Sequence, residues 1–118
     1  MTKDVMIDRK TFAVGDTIFK QGSTGRTAFI VQKGEVDVSH TMPDGTEKHL
    51  ANLGAGAIFG EMSLIDDKPR MATVRATQAT TLIVVTEQMF LQKLERADPF
   101  IRGLMNIMAE TIRKMSNN

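Results

Sequence analysis

From Thr17 to Val85 the chain is a series of short apolar-alternating runs cut by glycine, and after Val85 that pattern stops. Alternation is the period of a strand with one buried face. Thr17–Lys20, Thr27–Lys33, Glu35–His40, Thr46–Leu53, Met71–Ala76 and Thr80–Val85 all carry it. In one of these runs Val36 and Val38 fall on one face, with Glu35, Asp37 and Ser39 on the other. Pro43-Asp44-Gly45 is a turn with a mechanism: proline presets its φ, and glycine tolerates a positive one. Gly15-Asp16, Gly22 and Gly34 punctuate the chain in the same way. Many short strands joined by glycine turns predict a sandwich, jelly roll or barrel. We expect a mainly β fold with C-terminal helices, its jelly-roll-like β-roll spanning about residues 9–85.

Past Val85 the period becomes helical. Thr86 is a plausible N-cap for a helix over about 87–97. Asp98-Pro99 then supplies an N-cap followed by proline at the first helical position, which predicts a second helix over 99–116. Its apolar residues form two seams: Ile101, Met105, Met108, Ile112 and Met115, and beside them Phe100, Leu104 and Ile107. One buried face needs one stripe. The second seam is expected to cover another surface, in a weak homodimer or against a neighbouring effector domain. The methionines read first as plain core, since methionine fills irregular gaps.

Composition narrows the function. One domain over residues 1–118 fits the length. Cysteine is absent, which removes disulfide scaffolds, thiol nucleophiles and Cys-ligated metals. Lys+Arg total 15 against 14 for Asp+Glu, so the basic excess of a nucleic-acid binder is missing and no direct nucleic-acid binding is expected. No apolar run nears the roughly 20 residues that span a bilayer, and the first ten residues do not resemble a signal peptide. The expected setting is cytoplasmic.

The stretch from Phe59 to Val74 carries the chemistry. Gly60 permits a backbone conformation and a close approach that other residues avoid. Glu61–Ile65 has room for one helical turn, whose leading N–H groups favour an anion. Arg70, after the loop fixed by Pro69, can return a guanidinium to that place and bind a phosphate bidentately. A carboxylate at Glu61 beside a phosphate needs another task, and accepting from a sugar hydroxyl is one.

This segment resembles the phosphate-binding cassette of the cyclic-nucleotide-binding domain family, the type found in catabolite activators, kinase regulatory subunits and nucleotide-gated channels. Gly60, Glu61, Pro69, Arg70, Ala72 and Val74 stand where that family has them. Phe12 to Gly34 and the run to Val36 resemble its early strands. The resemblance implies a non-enzymatic sensor for a cyclic nucleotide, cAMP before cGMP, with no cofactor, no catalytic residue and no metal. It implies that Arg70 binds the cyclic phosphate and that Glu61 accepts from the ribose 2′-hydroxyl. Backbone N–H groups near Gly60, Met62, Ser63 and Ala72 hold ribose and phosphate, and Val38 and Leu50 form an apolar wall around the base. The last helix resembles a hinged lid, with Ser116 and Asn117 near the purine. Met71 departs from the small or hydroxyl residue usual after the arginine, and members selective for cGMP often have Thr or Ser there. The chain lacks a long N-terminal helical segment and ends without a helix-turn-helix, so a complete activator is not expected; it reads as a stand-alone or an excised module.

Other readings give less. A bare Glu61–Arg70 surface pair would be worth little. Asp66 and Asp67 read as a solvated loop rather than paired acids. His40 and His49 read as isolated surface histidines without ligand spacing. Gly54-Ala55-Gly56 is a tight turn, since the next glycine comes too late for a dinucleotide loop. The competing functions are a metal-dependent cupin-like enzyme and a jelly-roll interaction domain that has lost its ligand.

Overall fold

The computed structural model describes residues 8–116. Along them run β1 (Asp8–Phe12), β2 (Thr17–Phe19), β3 (Thr27–Lys33), β4 (Val36–Thr41), β5 (Glu47–Leu53) and β6 (Ile58–Phe59). A short helix α1 (Met62–Asp66) follows, then β7 (Thr73–Ala76), β8 (Thr80–Thr86), α2 (Glu87–Glu95) and α3 (Pro99–Ser116). The strands form two four-stranded antiparallel sheets, ordered β1-β8-β3-β6 and β2-β7-β4-β5. This is the expected β-roll with C-terminal helices.

Alternation places the core between the sheets. Phe29 and Val31 of β3, Val36 of β4, Val74 of β7, and Leu82 and Val84 of β8 pack together with Phe59. Leu82 is fully buried, and truncating such a leucine to alanine costs about 2–5 kcal/mol. The β4–β5 hairpin closes as expected. Gly45 has φ 90°, its N–H donates to the Met42 carbonyl at 2.8 Å, and Asp44 Oδ1 accepts from the Thr46 N–H at 2.9 Å. That bond holds the Asp44 carboxyl below its ordinary value.

Two strands were not among the expected runs. β1 is charged and mostly exposed, and exists through its pairing with β8. β6 is two residues long, held by Phe29 and Ile30 of β3. The run expected to start at Met71 becomes a strand at Thr73, because Met71 and Ala72 bend to build the site.

Both helix caps form. Thr86 Oγ1 accepts from the Met89 N–H at 3.1 Å, and Asp98 Oδ1 from the Phe100 N–H at 2.8 Å. The seam reading of α3 is corrected. Its contact with the rest of the molecule runs through Met105, Ala109 and Arg113, one residue per turn at four-residue spacing. It lies against α1, with Ala109 buried. Phe100, Ile101, Leu104, Ile107, Met108, Ile112 and Met115 are all exposed, so most of both seams stays uncovered and Met108 and Met115 are not core. Among the described residues no helix is long and apolar enough to cross a membrane.

Candidate functional site

Residues of the roll and of the segment after β6 line a cavity of about 220 Å³. Its floor is aromatic: Phe19, Phe29 and Phe59 have centroids 5.4–6.2 Å apart, and Phe19 and Phe59 border the space. Val38, Ala51 and Leu53 form one wall. The segment 60–63 and the segment 70–72 form the other. Thus Gly60, Glu61, Met62, Ser63, Arg70, Met71, Ala72 and Val38 come together around one space.

Leu50 does not join them. Val38 pairs with Ala51, and Ser39 with His49, so Leu50 is the extra residue of a β-bulge. An extra residue leaves the ladder and breaks the alternation that assigned it to the wall. Ala51 and Leu53 take that place, while Leu50 is 39% exposed.

Arg70 is held from every side. Its backbone N–H donates to the Ser23 carbonyl, and its own carbonyl accepts from Gly22 N–H, both at 2.8 Å. Its Nη1 donates to the Gly60 carbonyl at 3.0 Å, and Nη2 lies 3.5 Å from Thr27 Oγ1. Cζ lies 4.1 Å from the Phe19 ring centroid, a cation–π arrangement. A Cβ on Gly25 would fall 2.3 Å from Nη2, and one on Gly60 2.9 Å from Nη1. Both positions therefore need glycine to let the guanidinium in, and Gly60 also has φ 82°.

The result is a cation 5% exposed, with Nε buried and unbonded and no carboxylate in ion-pair contact among the described residues. Burial lowers the arginine's pKa from its ordinary value, although such a group remains charged. A buried unpaired charge is costly, and a negative group in the cavity would offset that cost. Glu61, the residue before α1, also borders the cavity. Burial raises its carboxyl above the ordinary value. Its carbonyl accepts from the N–H groups of Leu64 and Ile65 at 3.0 and 3.2 Å, which fixes the turn.

Arg113 and Arg26 carry roles that the sequence reading did not assign. From α3, Arg113 donates Nη2 to Asp66 Oδ1 at 3.1 Å and Nη1 to the Pro69 carbonyl at 2.9 Å, with Nε on Asp66 Oδ2. Asp66 is thus a half-enclosed partner of α3, not a solvated loop residue. Arg26 pairs with Asp67, which ends α1 at φ 58°, and with Glu87, which opens α2. A lone arginine on a helix or loop carries no sequence mark of such a partner. His40 is buried at 4% exposure, not on the surface. His49 is the exposed one, paired with Asp37 at 2.6 Å. Since His49 faces Ser39 across the ladder and His40 faces Lys48, the two rings lie on opposite faces and share no site. Asn117 and the Ser116 side chain lie outside the described residues.

The model of the cyclic nucleotide-binding domain matches residues 9–97, and the chain belongs to that family. The chain is 33% identical over 106 residues to a cyclic AMP receptor protein of Thermus thermophilus, covering 90% of this chain and 49% of that one. It is 37% identical over 70 residues to a cAMP-dependent protein kinase regulatory subunit of Blastocladiella emersonii, covering 59% and 17%. The chain spans about half the length, or less, of these curated relatives. Among solved structures, the EAL enzyme Bd1971 with cAMP bound superposes with a TM-score of 0.85 at 36% identity, over 92% of this chain and 29% of that one. The same enzyme has been solved with cGMP bound. The Thermus thermophilus catabolite activator protein superposes with a TM-score of 0.73 at 32% identity, over 92% and 50%.

Proposed function

We propose that this domain is a cytoplasmic sensor that prefers cAMP to cGMP and signals by changing how α3 is held. One observation carries the reading: Arg70 is buried at the cavity wall with no carboxylate partner among the described residues. The cyclic phosphate supplies the missing charge, and Glu61 accepts from the ribose 2′-hydroxyl. The N–H groups around Met62, Ser63 and Ala72 add donors, as the cassette of the family implies. Val38, Ala51, Leu53 and Met71 offer apolar surface to sugar and base, with Met71 carrying no hydroxyl for a guanine edge.

The Arg113–Asp66 pair joins the cassette helix to α3, so a ligand that moves the cassette biases the helix. Such a shift needs only a difference in affinity between two arrangements. The uncovered seams of α3 then serve a weak homodimer or a neighbouring effector domain. The domain performs no chemistry on its ligand in this reading. Titration calorimetry with cAMP and with cGMP tests it: saturable one-site binding, tighter for cAMP, is expected, and absence of heat with both nucleotides overturns it.

A further inference from the structure

His40 has no part in that reading, yet it sits directly behind the cassette. Its Nδ1 lies 2.6 Å from the Met71 carbonyl oxygen. A carbonyl oxygen only accepts, so Nδ1 carries the hydrogen and a neutral ring leaves Nε2 bare. Nε2 is buried without a hydrogen-bond partner among the described residues. The ring borders a second cavity of about 380 Å³, which shares Arg70, Met71 and Arg113 with the first. Among the described residues lining it, Lys68, Arg70 and Arg113 are the charged ones and none is a carboxylate, although Arg113 is paired to Asp66 just outside. Across the ladder on β5, the residue opposite His40 is another cation, Lys48.

We propose that His40 is a positioning residue that holds the Met71 backbone for the phosphate site and takes up a proton from solvent when the phosphate binds. The inference rests on the cyclic-nucleotide reading above. The Met71 carbonyl belongs to the turn between Arg70, which meets the phosphate, and Ala72, whose N–H helps hold it. Fixing that carbonyl fixes both neighbours.

The sign of the proton effect follows from the surroundings. With the site empty, a proton on Nε2 adds positive charge beside Arg70 and Lys68, Arg113 being paired to Asp66, and finds no acceptor among the described residues. A bound phosphate brings negative charge to Arg70 and favours the imidazolium. Ligand and proton then bind with mutual support, so affinity rises as pH falls. One proton taken up per ligand gives at most about a tenfold change per pH unit. Glu61 works in the opposite direction, because its carboxyl loses its acceptor character as it protonates.

The test is calorimetry of cAMP between about pH 6 and 8, in buffers of different ionisation enthalpy, with circular dichroism as the check on folding. Asparagine can place an N–H where Nδ1 stands but does not titrate. His40→Asn is expected to bind within about threefold of wild type near pH 8, to fall several-fold behind it near pH 6, and to take up no proton. His40→Leu loses the donor and is expected to bind about tenfold more weakly than His40→Asn at every pH, so that its gap to wild type widens in acid; should it fail to fold, the asparagine variant decides alone. Wild type and His40→Asn with the same pH profile and the same proton uptake would overturn the inference while leaving the functional reading intact. Wild type that binds no cyclic nucleotide at any pH overturns both.

Discussion

The Arg70 guanidinium lies over the Phe19 ring, its Cζ 4.1 Å from the centroid, so the buried charge at the cavity wall rests on the aromatic floor of the core. Phe19 in turn packs on Phe29 and Phe59. The cavity wall at Arg70 and the core therefore share a boundary, and changes on one side should be felt on the other.

Arg70→Leu removes the cation and keeps an apolar side chain against Phe19. Losing one side of a buried charge pair costs about 2–5 kcal/mol, and 1.4 kcal/mol is about tenfold. We expect cAMP affinity to drop at least about thirtyfold with the fold retained by circular dichroism. Calorimetry showing near-native affinity in the folded variant would reject the role.

Glu61→Gln separates binding from stability. The variant should discriminate less than wild type against the 2′-deoxy nucleotide, since the acceptor is weakened. Its effect on the ligand-free fold has a definite sign. Burial raises the Glu61 carboxyl above 4.5, so the native state holds its proton to higher pH than the unfolded chain does. Stability from this group is then full at low pH and declines as pH rises above about 4.5. Glutamine does not ionise, so the variant should melt higher than wild type at neutral pH, and the gap should close in acid. Equal melting curves at pH 7 would contradict this.

Met71→Thr restores a hydroxyl beside Arg70. It should narrow the preference for cAMP over cGMP in competition binding. Equal competition by both nucleotides in the wild type would count against the role given to Met71.

Arg113 and Asp66 should be coupled. Both side chains are about 15% exposed, and the pair is bidentate. A double-mutant cycle with Arg113→Ala and Asp66→Ala should return an interaction on the order of 1–2 kcal/mol. Each single change should raise hydrogen exchange between Leu104 and Met115. Unaltered exchange in both variants would mean that α3 is held elsewhere.

The exposed apolar residues of α3 predict self-association or docking. Each apolar side chain left in water forgoes about 1.5–3 kcal/mol. Sedimentation at rising concentration should show a weak dimer that cAMP strengthens or weakens. Truncation after Ala97 should abolish that behaviour and leave a roll that binds cAMP more weakly. A monomer at all concentrations, with α3 exchange indifferent to cAMP, would leave the helix without this task.

The roll and the cassette were legible because their signals are local. Alternation marked β3, β4, β5 and β8, glycine and proline marked the turns, and the residues from Gly60 to Arg70 marked the segment that lines the cavity. What escaped depends on pairing across the chain. β1 has no apolar rhythm and exists through β8. The seams of α3 were visible, but which face met the body was set by Arg113 reaching Asp66, a contact between residues 47 apart in sequence. Leu50 was misplaced because alternation cannot reveal where a ladder skips a residue, and His40 because a single ring gives no sign of which carbonyl it will find.

The skipped residue has a practical use. Leu50 has no partner in the ladder and no place in the cavity lining, yet its neighbour Ala51 belongs to the wall. The chain contains no cysteine, so Leu50→Cys would create a single attachment point for an environment-sensitive dye. A dye there would sit one residue from the ligand space while displacing neither a strand pair nor a wall residue. The irregularity that misleads a reading of the sequence thus marks where a fluorescent reporter could be built into the domain.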